Sequence, residues 1–185
     1  QSAYPDISKA EFSLINQLVK KEELSSFLAP LLAGNDMGLM SDAGCPGIAD
    51  PGAEVIAMAH QKGIKVVPMV GPSSIVLSIM ASGFNGQNFA FNGYLPIDKP
   101  QKIKRIKELE LTCAKYKQAQ FFIETPYRNE SLFEDLLKML NPNTKLLVAT
   151  NLTLNEESIQ GKTIFDWKRG PAPDFYKKPT VLRFI

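Results

Sequence analysis

Ser41-Asp42-Ala43-Gly44-Cys45-Pro46-Gly47-Ile48-Ala49-Asp50-Pro51-Gly52 lies between a short apolar run, residues 37–40, and an apolar-periodic segment. Glycines and prolines therefore crowd the point where a strand hands over to a helix. Glycine lets backbone approach a ligand closely, and proline sets a loop's shape before anything binds. Asp50 followed by Pro51 reads as an N-cap and first helical residue, which would leave backbone N–H groups exposed at a positive helix end. A turn of this kind at the carboxyl edge of a sheet is the usual ligand site of an open α/β fold.

Working outward, residues 51–62 predict a helix with Val55, Ile56, Met58 and Ala59 inward, stopped by Gly63, and residues 64–70 a buried parallel strand. With the strand at 37–40 this makes a β-loop-α-β unit. Upstream, residues 10–15 read as a short strand and 20–32 as an amphipathic helix ending at Gly34. Val70-Gly71-Pro72-Ser73-Ser74 repeats the pattern of strand, glycine turn and hydroxyl residues opening a helix, here 75–82. Helix capping accounts for the two serines, and a ligand contact would be an additional role.

The polar break at Asn85, Gly86, Gln87 and Asn88 predicts a domain boundary at 84–88, giving an N-terminal α/β domain (residues 1–84) and a C-terminal α/β domain with a mixed sheet (88–185). The second part reads as strand 89–94, basic helix 99–116, strand 120–124, helix 129–140 and strand 145–151. Segments 158–162 and 180–185 follow as strands, with too little helix between them for parallel crossovers, so antiparallel pairing is expected there.

Composition narrows the function classes. The 185 residues are 44% hydrophobic with a net charge of +2, enough for one good core or two small ones and without the whole-domain basicity of a general nucleic-acid binder. The longest apolar stretches are too short to span a bilayer and no signal-peptide pattern opens the chain, so a cytoplasmic protein is the default expectation. Cys45, Cys113 and the single histidine, His60, offer no zinc spacing, and no metal is expected. Cys45 in the glycine loop reads as a small residue against a ligand rather than a nucleophile, because no histidine accompanies it. The basic helix carries Lys99, Lys102, Lys104, Arg105, Lys107, Lys115 and Lys117; it could bind phosphates, but Glu108 and Glu110 favour a solvated face.

Five motifs in order, the opening loop, Gly71-Pro72-Ser73-Ser74, Ala81-Ser82-Gly83-Phe84, Phe91-Asn92-Gly93-Tyr94-Leu95-Pro96 and Glu124-Thr125-Pro126-Tyr127-Arg128, give the chain its family likeness. It resembles the tetrapyrrole methylase superfamily, most of all the branch of small-subunit ribosomal RNA (cytidine-2′-O)-methyltransferases, over roughly residues 37–185. The resemblance implies a two-domain α/β enzyme with a mainly parallel N-terminal sheet and a mixed C-terminal sheet. It further implies S-adenosylmethionine in the cleft between the domains and a homodimer. No Rossmann G-x-G-x-x-G is expected, and none is present.

Carried over residue by residue, the resemblance assigns Ala43, Gly44, Cys45 and Pro46, with Ile48, Ala49 and Asp50, to the methionine and ribose side of the cofactor. Ser73 and Ser74 match the small pair after the next strand, and Thr125 a position after the middle strand of the second domain. Asn151 and Leu152 match the following loop, and Pro179 and Thr180 the adenine-side edge. Asp42 or Asp50 is a candidate carboxylate for the sulfonium, although either can instead serve the loop. The catalytic base stays unassigned.

The family's opening strand, proline/glycine turn and acidic, arginine-bearing helix are not found in residues 1–36, so the first domain reads as incomplete. The place of the histidine- and asparagine-bearing loop of the ribosomal RNA enzymes reads Phe12-Ser13-Leu14-Ile15-Asn16-Gln17, without histidine. Three functions are consistent with these residues: methylation of ribosomal RNA, methylation of a tetrapyrrole or other small molecule, and a non-catalytic dimeric relative acting as a binding module.

Overall fold

A computed structural model describes residues 10–16, 21–175 and 177–185, and the chain divides into two compact units, residues 1–72 and 73–185.

The second unit is built on a five-stranded mixed sheet of order β1-β2-β5-β3-β4, with β1 (Phe89–Tyr94), β2 (Ala119–Glu124), β3 (Lys145–Thr150), β4 (Ser158–Thr163) and β5 (Thr180–Phe184). Only β1 and β2 run parallel; β5 is antiparallel to both β2 and β3, and β4 to β3. These strands begin and end within a residue of their predicted limits, but β4 and β5 do not pair with each other as expected: each lies antiparallel to β3, on opposite sides of it, so the two run in the same direction.

Alternation across the sheet makes two cores. Phe122, Val148, Leu182 and Phe184 face one side and pack with Ile106, Leu109 and Cys113 of α5 (Lys99–Tyr116) and Leu132, Phe133 and Leu136 of α6 (Asn129–Met139). Phe121, Ala119 and Val181 face the other side, where Ile79 of α4 (Ser74–Ala81) joins them. Both faces of β2 and β5 are therefore buried, including the polar side chains of Gln120 and Arg183. Helix α5 starts under the Asp98 carboxylate, which accepts from Gln101 N–H at 3.1 Å, and it ends on Lys117 in the left-handed region.

A helix that periodicity does not announce, α7 (Ile164–Arg169), follows β4. Thr163 caps it by accepting from Asp166 N–H at 3.1 Å, and its Trp167 is buried with the indole N–H on Leu146 O at 2.9 Å. Six residues are too few to show an amphipathic period.

In the first unit the predicted helix 20–32 is broken into α1 (Lys21–Leu24), a 3₁₀ turn (Ser25–Leu28) and α2 (Ala29–Leu32). Pro30 has no N–H to donate back along the helix, which interrupts the α ladder there. The expected start at Lys20 lies outside the described residues. Leu24 and Leu28 pack with Val55 and Ala59 of α3 (Ala53–Gln61). Gly63, at φ +68°, ends α3 with N–H bonds from Gly63 to His60 O and from Ile64 to Ala59 O, a glycine-terminated cap.

The parallel N-terminal sheet is not formed among the described residues: 10–15, 37–40 and 64–70 carry no strand. An apolar run states a demand for burial but cannot supply the neighbouring strand whose N–H and C=O groups would complete a ladder. Met40, Val67, Met69 and Val70 are accordingly exposed. No helix among the described residues is long and apolar enough to cross a membrane.

Burial, with the Glu110 carboxylate adding to it, pushes the Cys113 thiol from 9.0 up to about 11. The unfolded chain then loses this proton first, so the stability contribution is complete below pH 9 and is lost as pH rises toward 11. Chemical denaturation across pH 9–11 is expected to show a decline on the order of 2 kcal/mol that Cys113→Ala removes; parallel curves for the two proteins would contradict this.

Candidate functional site

The opening loop is held by its own short-range bonds. Ser41 Oγ donates to Ala43 O at 3.0 Å and accepts from Ala43 N–H at 3.2 Å, and Ile48 N–H donates to Cys45 O at 3.3 Å. The Cys45 thiol donates to Pro72 O at 3.4 Å, which ties the loop to the second glycine turn and gives Cys45 a structural role.

Gly44 sits at φ +81°, and a Cβ built on it would meet no atom within 4 Å. Its backbone is open for a ligand to approach. Asp42, Ala43, Ile48 and Ala49 are exposed, while Cys45, Pro46 and Asp50 are half-buried, and Ala49 and Asp50 border a cavity of about 400 Å³ that Ile15, Leu24 and Val55 also line.

Asp50 does not cap α3. The cap position belongs to Gly52 at φ +122°, so the helix begins two residues later than predicted. A side chain at Gly52 would lie 2.8 Å from Leu39 Cδ2, and close approach to Leu39 is why glycine stands there. His60 is exposed in the last turn of α3.

In the second unit Ser73 caps α4, its Oγ accepting from Val76 N–H at 3.4 Å, and Ser74 is the first helical residue. The remaining predicted residues, Thr125, Asn151, Leu152, Pro179 and Thr180, come together at one end of the sheet. Thr180 pairs with Glu124 on one side and Thr150 on the other. Asn151, left-handed at φ +50°, donates its N–H to Pro179 O at 3.0 Å. Five residues drawn from three separate stretches of sequence thus border one polar edge.

Three side chains at this edge carried no assignment from sequence. The buried Glu124 carboxylate accepts from Thr125 N–H and pairs with the Arg128 guanidinium, both at 2.6 Å, while Arg128 Nε donates to Thr125 Oγ1 at 3.3 Å. The spacing of Glu124 and Arg128 in the quoted motif was the available signal. Asn129, fully buried, donates from Nδ2 to Lys178 O at 2.9 Å and Thr180 Oγ1 at 3.1 Å. Its partners lie 49 and 51 residues away in sequence, so no local pattern signals this reach.

Lys178 is half-buried, and its hydrogen bond to Asp174 raises its pKa. On α5, Lys102 pairs with Asp135 at 2.6 Å and Arg105 with Glu108 at 3.5 Å while bonding Asn92, so part of the basic helix serves the fold. Among the described residues no group of three or more His, Cys, Asp or Glu side chains could hold a metal ion. The loop of the first unit offers open backbone and the Asp42 and Asp50 carboxylates, and the edge of the second unit offers the Thr125 and Thr180 hydroxyls.

No family model matches the chain. The ribosomal RNA small subunit methyltransferase I of Vibrio cholerae is 34% identical over 176 residues, 95% of this chain and 59% of that protein. The protein of the same name from Halalkalibacterium halodurans is 35% identical over 132 residues, 71% of this chain and 44% of its own length. The chain thus spans roughly half of these curated relatives. Among solved structures, diphthine synthase aligns with a TM-score of 0.60 at 16% identity over 90% of this chain and 67% of its own. The methyltransferase CobJ aligns with a TM-score of 0.59 at 18% identity over 92% and 72%. At these identities the structures establish a shared fold.

Arg128→Ala leaves the buried Glu124 carboxylate without its cation. Because the guanidinium is partly exposed, a loss of roughly 1–3 kcal/mol in urea denaturation is expected, with Glu124→Gln/Arg128→Ala recovering part of it. Unchanged stability in Arg128→Ala would show that the pair contributes nothing.

Proposed function

Because this chain is a homologue of the ribosomal RNA small subunit methyltransferase I proteins, with the fold of the tetrapyrrole methylases, we propose that it is an S-adenosylmethionine-dependent methyltransferase acting on a ribose 2′-hydroxyl of ribosomal RNA. The observation that carries this is the sequence similarity, which extends over 95% of the chain and so includes the loops described above. We include in the proposal a cytoplasmic homodimer and a functional division of the chain into residues 1–84 and 88–185.

The proposed cofactor contacts in the first unit are Asp42, Ala43, Gly44, Cys45, Pro46, Ile48, Ala49 and Asp50. Those in the second are Ser73, Ser74, Thr125, Asn151, Leu152, Pro179 and Thr180. The open space at Gly44 supports the fit, since a ligand can lie against backbone that no side chain covers. Bound S-adenosylmethionine would supply the methyl group together with its own leaving group. The protein's work is then to orient: the carboxylates of Asp42 and Asp50 favour a cationic sulfonium, and the hydroxyls and loop amides hold the polar ends in place.

Isothermal titration with S-adenosylmethionine is expected to give a micromolar Kd. Gly44→Phe, which places a ring in the cofactor's space, is expected to abolish detectable heat with an unchanged far-ultraviolet circular dichroism spectrum. Equal affinity in a folded variant would remove this loop from the site. Labelled methyl transfer to ribosomal RNA from a strain lacking the modification tests the substrate, and no incorporation by cofactor-binding protein would refute it.

A further inference from the structure

Asn129 is costly where it stands. Its side chain is fully buried, its Nδ2 hydrogens go to Lys178 O and Thr180 Oγ1, and its Oδ1 has no partner among the described residues. The orientation of the amide follows from Lys178 O, which can only accept. A buried acceptor left without a bond is unfavourable, and an apolar side chain of the same size would avoid that cost.

Nor does the neighbouring backbone need the amide, because Thr180 Oγ1 also donates to Lys178 O, at 3.0 Å. Stability alone therefore gives no reason for asparagine at the start of a helix whose Leu132, Phe133 and Leu136 are apolar and buried. The amide does have a geometric effect. It fastens the start of α6, four residues beyond Thr125, to the 178–180 segment. That segment in turn holds Asn151 through Pro179 O and lies in register with Glu124 and Thr150.

We propose that Asn129 is a positioning residue that holds Thr125, Asn151, Pro179 and Thr180 in register for the adenosine end of the cofactor. It does not touch the ligand itself, as its Oδ1 is buried. The inference rests on the proposed cofactor. It adds to that proposal a residue whose amide trades stability for the geometry of the edge, as preorganised sites do.

The test separates stability from binding. Asn129→Leu removes the unpaired acceptor and both donors while filling the same space. Its Tm is expected to equal or exceed that of the unsubstituted protein, while the Kd for S-adenosylmethionine, and for methylthioadenosine as a probe of the adenosine end alone, weakens about tenfold. Asn129→Ser, too short to span both acceptors, is expected to show the same loss and serves if the leucine variant does not fold. Unchanged Kd in a folded variant overturns the positioning role and leaves the proposed function standing. Failure of both variants to fold assigns Asn129 to the fold and overturns it as well. No binding by the unsubstituted protein defeats the proposed cofactor and this inference together.

Discussion

The antiparallel insertion of β5 between β2 and β3 is the constraint on which the second unit depends. A strand from the end of the chain uses both of its hydrogen-bonding edges, with partners some 60 and 35 residues earlier in sequence. Its side chains divide between the two cores, Leu182 and Phe184 to the helix-covered face and Val181 to the other. Without this strand β1-β2 and β3-β4 would be separate pairs, each with an unpaired edge. Because Thr180 opens β5, the same insertion brings the turns after β2 and β3 to a common border.

Arg183, on the same strand, is fully buried and forms no ion pair among the described residues. Its guanidinium lies over the rings of Phe121 and Phe84, at 4.2 and 4.8 Å from their centroids, and donates to Ser82 Oγ and to Asn85 O at 2.9 Å. Burial lowers its pKa to about 10. The charge is compensated by aromatic faces and oxygen dipoles instead of a carboxylate. Its effect is to fasten residues 82–85 to the sheet. The polar break that reads as a domain boundary is therefore also a place where the chain is anchored, and helix α4 belongs to the same compact unit as β5.

In the second unit the polar edge at the end of the sheet carries both a buried ion pair, Glu124 with Arg128, and the buried acceptor of Asn129 that stays unpaired among the described residues. In the first unit the loop at 41–52 is shaped by glycine conformations and by Ser41 and Cys45. The proposed function asks these groups to orient a cofactor, a task that needs placed groups more than a strong acid or base.

Local chemistry in the sequence was enough to determine the strands of the second unit, the cap at Ser73 and the motif order that gives the chain its family likeness. Each of these is written in neighbouring residues, as period, turn chemistry or motif order. Only the tertiary structure decided that residues 37–40 and 64–70 form no ladder, that Gly52 rather than Asp50 caps α3, and that a 3₁₀ turn at Ser25–Leu28 divides a helix whose apolar period continues across it. It alone also joined Asn129 to Thr180 and Arg183 to Ser82. Those contacts span 51 and 101 residues, and a partner so distant leaves no trace in local pattern, because what specifies it is the burial of one strand between two others.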